Sequence, residues 1–152
     1  MEHEDNSGHG HKHHEEMFKR KFFISTALSI PVLYFSTFIS GIFGYNPIQF
    51  TGSNLIVPVF SVIIFAYGGL PFLKMAKSEF EDRKPGMMML ISLAITVAFV
   101  YSIAALFLNT QSSFFWELVT LIDIMLLGHW IEMRSVRKAS GALDELAKLM
   151  PD

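Results

Sequence analysis

Three side chains able to hold a metal ion, Met125, His129 and Glu132, stand four and three residues apart inside an apolar stretch. At about 100° per residue these steps bring all three onto one helical face, and Asp123 points to the opposite one. Thioether, imidazole and carboxylate run from soft to hard donors, a range that suits a transition-metal ion. Met133 adds another thioether at the end of the same stretch. A second soft group is the run Met87, Met88 and Met89. Thioethers suit Cu(I) or Ag(I), but consecutive residues point in different directions, and methionine serves equally as an apolar gap-filler. A third group is the N-terminal tail, where His3, His9, His11, His13 and His14 lie among Gly, Glu and Asp. Imidazoles with nearby carboxylates suit Cu, Zn, Ni or Co, and the same composition describes a solvated polar tail.

The elements that must position these groups follow from hydrophobic patterning. The chain is 51% hydrophobic and 14% aromatic, and its apolar residues are bunched rather than spread at amphipathic spacing, which places it among membrane proteins. Four segments, 22–43, 54–73, 87–108 and 114–133, each approach the roughly 20 residues that cross a bilayer as a helix. The expected fold is therefore an all-α membrane protein of four transmembrane helices, the second kinked and the fourth extended as a cytosolic stalk. Ionisable groups near mid-membrane cost about 2.5–3.5 kcal/mol each on insertion scales, so the fourth span must face a polar interior. With no cysteine, thiolate metal sites and disulfides are excluded from this chain.

Charge placement sets the orientation. Every Lys and Arg lies in the tail (Lys12, Lys19, Arg20, Lys21), between spans two and three (Lys74, Lys77, Arg83, Lys84), or at the C-terminal end (Arg134, Arg137, Lys138, Lys148). Both termini and the middle loop are thus expected in the cytoplasm and the two short loops outside, as an even number of spans also requires. The domain organisation expected is a disordered His-rich tail over 1–21, a transmembrane region over 22–133, and a stalk over 134–152.

Breakers refine this outline. Pro31 predicts a kink in span one. Gly68-Gly69, followed by Pro71, predicts a bend in span two near the cytoplasmic interface. Beyond it an amphipathic helix over about 70–84 is expected to lay Phe72, Leu73, Ala76 and Phe80 toward the membrane and keep Lys74, Lys77 and Glu79 wet. Such a surface can be a docking platform or a set of snorkelling charges. Span four runs on without a breaker to Pro151, with Val136, Ala139, Leu143, Leu146 and Met150 forming an apolar stripe that needs a partner.

With these pieces assembled, the chain resembles the N-terminal membrane part of a heavy-metal-transporting P-type ATPase of the copper branch with a His-rich tail. Leu127-Gly128-His129-Trp130-Ile131-Glu132 resembles the family's Leu-Gly-X-X-Leu/Ile-Glu element, Val100-Tyr101-Ser102 the close of the preceding span, and Gly68-Gly69 the double-glycine kink. Leu143 to Pro151 resembles the stalk that enters the actuator domain. The resemblance implies that Glu132 belongs to the route by which metal enters the membrane, and that Gly68, Gly69, Lys74, Lys77, Arg83 and Lys84 belong to a cytosol-facing platform for a metal ion or a metal-delivering chaperone. The methionine that related copper pumps carry about two turns into span three aligns with Leu93, so a thioether contribution falls to Met87, Met88, Met89, Met125 or Met133. It further implies a parent that exports copper, with silver handled alike, using ATP and Mg2+ through an aspartyl-phosphate intermediate. The actuator, phosphorylation and nucleotide-binding domains that do this would lie after Asp152, so no catalytic residue is expected in these 152 residues. Membrane lipid is an expected partner and nucleic acid is not.

Two other classes compete. A free-standing four-helix metal carrier or sensor accounts for the tail and span four but leaves the stalk unpartnered. A transmembrane haem protein usually needs two facing histidines, and His129 is the only one within a span.

Overall fold

The computed structural model describes residues 6–48, 51–108 and 114–150, all of whose regular structure is helical. Helices α1 (Asn6–Phe35) and α2 (Thr37–Phe43) are followed by α3 (Ser53–Gly68), α4 (Leu70–Glu81), α5 (Met87–Phe107) and α6 (Phe115–Leu149). Helix α1 packs on α6 and α3, α3 packs also on α6, and α4 lies on α5. Alone among the described residues, α5 is a single helix long and apolar enough to cross a membrane; up to three spans result if α1–α2 and α3–α4 each count as one bent crossing. Helix α6 has the length, but Glu117, Asp123 and Glu132 interrupt its apolar half.

Helix α1 begins inside the segment expected to be disordered, at Asn6 rather than near Phe22. The physical reason lies in its contacts: Phe18 is fully buried and Glu15 lies 3.1 Å from Arg137 Nε on α6, so the end of the tail has something to fold against. Pro31 stays inside α1, and the chain turns 68° at Ser36, whose extended backbone (φ −67°, ψ 126°) opens α2. Serine followed by threonine favours a helix start, whereas a proline inside an otherwise supported helix removes only one donor. Helix α2 closes at Gly44, whose left-handed φ of 68° directs its N–H to the Ser40 carbonyl.

The break between α3 and α4 occurs at Gly69, with a bend of 48°. Neither glycine is there for positive φ. A Cβ on Gly69 would sit 2.5 Å from the Phe65 carbonyl oxygen, and one on Gly68 would sit 2.8 Å from both Ile122 Cγ2 and Ser25 Oγ. Pro71 supplies no N–H to the Tyr67 carbonyl one turn back. Lys21 donates to that carbonyl instead, at 2.8 Å, while its ammonium lies over the Tyr67 ring at 4.2 Å from the centroid. The bend is thus stitched to α1.

Helix α4 is placed differently from the expected interfacial helix. Phe72 and Ala76 are buried against the bundle rather than turned to lipid, and only Phe80 of the apolar set is widely exposed. Glu79 is not solvated either. Its Oε2 accepts the N–H groups of Gly86 and Met89, each at 3.0 Å, and so caps the otherwise uncapped start of α5. Ser92 on α5 returns the connection by donating to the Phe72 carbonyl at 2.8 Å. Replacing Glu79 by Ala is expected to cost about 1–2 kcal/mol, the usual loss of a helix cap, while Gln retains part of it. Thermal unfolding of the detergent-solubilised protein checks this ranking.

The core joins α1, α3, α4, α5 and α6 through Phe18, Ile64, Phe72, Ile95, Leu118, Ile122 and Leu126, and α2 contributes no buried residue. Small polar residues let the helices approach. Ser25 and Ser29, one turn apart on α1, and Ser61 on α3 are buried at the helix contacts, as in membrane bundles where side-chain size limits packing.

Candidate functional site

The face carrying Met125, His129 and Glu132 lies where α6 leaves the core. Met125 and Met133 are half-buried and pack against the central hydrophobic cluster, so their sulfur atoms belong to the wall of the bundle. His129 and Glu132 are brought together: Nδ1 of the imidazole is 3.4 Å from Glu132 Oε2. Their exposures differ sharply, 13% for the His129 side chain against 59% for that of Glu132. The imidazole is held from two directions. Its ring centroid is 4.9 Å from that of Phe18 on α1 and 5.9 Å, edge-on, from that of Phe72 on α4. An exposed carboxylate next to a clamped imidazole is a site open to a cation on one side and closed by aromatic rings on the other.

The remaining candidate residues form separate groups. Met88 is buried in the core, Met89 is half-buried beside the Glu79 cap, and Met87 is exposed. Lys74, Lys77, Arg83 and Lys84 are exposed on or just after α4, with Lys77 paired to Glu81 at 3.7 Å across one helical turn. Gly68 and Gly69 are buried at the bend. His13 and His14 are exposed on α1, His9 and His11 fall on its first turns, and His3 lies outside the described residues. No cluster of three or more His, Asp or Glu able to hold a metal ion occurs among the described residues. The arrangement therefore resembles a mouth with one or two donors more than a closed coordination site.

Electrostatics around the mouth come from the α1 side. Lys21, just before the first apolar segment, has its pKa lowered from the usual lysine value by burial and then by the nearby Lys74 ammonium. Lys19 approaches the Trp130 ring at 5.8 Å, and Phe22 stacks on the same indole. Arg137 pairs with Glu15 one helix over.

Several contacts escaped the sequence reading. Asp123, which faces away from His129 and so could line the interior against another span, points at α1, where the Ser29 hydroxyl donates to its Oδ2 at 2.5 Å and also reaches the Ser25 carbonyl at 2.7 Å. Glu117 is a third acid in the apolar half of α6; the signal for it was simply its charge inside a candidate span. Glu117 and Asp123 each keep one buried carboxylate oxygen without a hydrogen-bond partner among the described residues. The Phe18–His129–Phe72 arrangement joins residues far apart in the chain, and no local pattern announces it.

Fold and site together define an α-helical bundle, with one helix long and apolar enough to cross a membrane and a carboxylate–imidazole pair near the middle of its longest helix. Over nine-tenths of its length the chain is similar to copper-transporting P-type ATPases. It is 52% identical over 136 residues to the copper-exporting P-type ATPase B of Archaeoglobus fulgidus, matching 90% of this chain and 20% of that protein. It is 48% identical over 145 residues to the copper-exporting P-type ATPase B of Enterococcus hirae (91% of this chain, 19% of that protein). A probable copper-transporting P-type ATPase B of Staphylococcus aureus is 48% identical over 142 residues, with 89% and 21% covered. The chain thus spans about a fifth of the length of these relatives. No protein-family model matches it. No solved structure matches it.

Proposed function

We propose that this chain is the N-terminal membrane part of an ATP-driven copper export pump and that it forms the route by which the ion enters the bilayer. The observation that carries the reading is the roughly half identity, over nine-tenths of the chain, to copper-exporting P-type ATPases. In this reading α1–α2, α3–α4, α5 and the first half of α6 are four membrane crossings, with both termini in the cytoplasm. Bent pairs that each pass as one apolar crossing support the first two. Of the acids that interrupt α6, Asp123 is accommodated by meeting Ser29 on α1, and exposed Glu132 is assigned to the membrane edge beside His129.

The steps assigned to this chain are capture and hand-over. Exposed Glu132 attracts and briefly holds the cation, His129 stands beside it, and Met125 and Met133 line the wall behind. Lys74, Lys77, Arg83 and Lys84, on and after α4, offer a cationic face to a metal-delivering partner with acidic groups. Hydrolysis of ATP with Mg2+ belongs to actuator, phosphorylation and nucleotide-binding domains outside these residues, which contain none of the catalytic motifs. The His-rich tail, from His3 to His14, supplements metal capture or regulation. The test is ATP hydrolysis by the full-length pump carrying this segment, compared across Cu(I), Cu(II), Ag(I) and Zn(II). Stimulation by Cu(I) and Ag(I), the ions that thioethers prefer, is expected. Stimulation by Zn(II) alone would overturn the copper assignment.

A further inference from the structure

We infer that His129 is a positioning residue for the metal-capturing carboxylate and not itself a ligand. The inference rests on the reading of Glu132 as the capture group. Three observations on α6 and its neighbours carry it. First, Nδ1 of His129 faces Glu132 Oε2 at 3.4 Å, across a single i, i+3 step. Second, the ring has little freedom: Phe18 and Phe72, both fully buried, hold it at 4.9 and 5.9 Å from α1 and α4, and only 13% of the side chain is exposed. Third, Glu132 has the opposite character, 59% exposed and without another charged partner within ion-pair distance among the described residues.

The division of labour follows from side-chain entropy. A free glutamate samples many rotamers, and fixing one costs side-chain entropy. A donor that is already rigid can bias the carboxylate toward one arrangement, and the clamped imidazole is such a donor. Nδ1 is the nitrogen that faces Glu132, so a proton on it fixes the tautomer, while Phe18 and Phe72 hold the ring. A ligand would need the opposite arrangement, with an unprotonated nitrogen turned to the ion. Because Phe72 belongs to α4, the same imidazole also ties the carboxylate to the surface where a delivering partner would dock.

The two amides separate positioning from ligation. Asparagine places its N–H2 near the place of Nδ1, whereas glutamine reaches toward the place of Nε2. In the full-length pump, His129→Asn is expected to keep the KM for Cu(I) within about twofold of the parent. His129→Gln is expected to raise it roughly fivefold or more with little change in kcat, through loss of the polar contact to Glu132. Equal losses in both variants would mark the imidazole as a ligand, since neither amide replaces it toward copper, and would overturn the inference. Parent-like KM in both would overturn it as well. Glu132→Gln in an otherwise unchanged pump tests the underlying reading separately: parent-like kinetics there removes both, whereas a strong loss there with indistinguishable His129 variants removes the positioning role alone.

Discussion

Glu132→Gln in the full-length pump is expected to lower copper-stimulated kcat/KM by roughly tenfold or more, while leaving the protein folded and in the membrane. The substitution keeps the shape and one acceptor oxygen but removes the negative charge that attracts the cation. The side chain is 59% exposed and, among the described residues, its one charge contact is with His129, so the bundle loses no buried pair when the charge goes. Structural damage is therefore a poor explanation for lost activity at this position. Glu132→Asp, which retains the charge one methylene shorter, is expected to recover part of the loss. Near-parental turnover of the Gln variant across a Cu(I) titration would remove Glu132 from the route.

The second large effect is expected at the bend. Gly68→Ala would place a methyl group 2.8 Å from Ile122 Cγ2 and from Ser25 Oγ, and 3.2 Å from Leu126 Cδ1. Two of these neighbours belong to the fully buried part of α6, and overpacking of this kind costs about 1–3 kcal/mol. Either α3 withdraws from α1 and α6 or the bend opens. Gly128 is the internal control, because a Cβ there meets nothing within 4 Å. Gly128→Ala is expected to be neutral or stabilising by about 0.5–1 kcal/mol, as for an unconstrained helical glycine. Paired melting curves in the same detergent give the comparison; equal melting temperatures for the two variants would show that the α1–α3–α6 contact is not as close as described.

The features legible in the sequence were those written in consecutive residues. Gly68-Gly69 with Pro71 announced a bend because each residue carries its backbone consequence locally, and the bend is there. Gly86 and the apolar run after it marked α5 almost to the residue. Pro31 predicts a kink but does not say where the helix ends: α1, packed against α3 and α6, runs through it to Phe35. The tail has the composition of a disordered segment, and the contacts that hold its last turns, Glu15 to Arg137 and Phe18 to His129, lie more than a hundred residues away in the chain. At the site, the i, i+3 step put His129 beside Glu132 on paper. That the histidine is clamped and the glutamate free depends on α1 and α4, which periodicity along α6 does not reveal. Glu79 illustrates the same limit: amphipathic patterning assigned it to water, but the open N-terminus of α5 claims it.

The pairing of Glu15 with Arg137 has a mechanical side. Contacts between α1 and α6 run in opposite order along the two helices, from Ser29 on Asp123 through Phe18 on His129 to Glu15 on Arg137. A helix of 35 residues is roughly 50 Å long, and over much of that length α1 lies alongside it like a splint. A lever so braced does not flex freely at the membrane surface. Any displacement of α6 is therefore expected to carry the paired length of α1 with it. His13 and His14, just ahead of Glu15 on α1, would travel with the lever rather than trail from it.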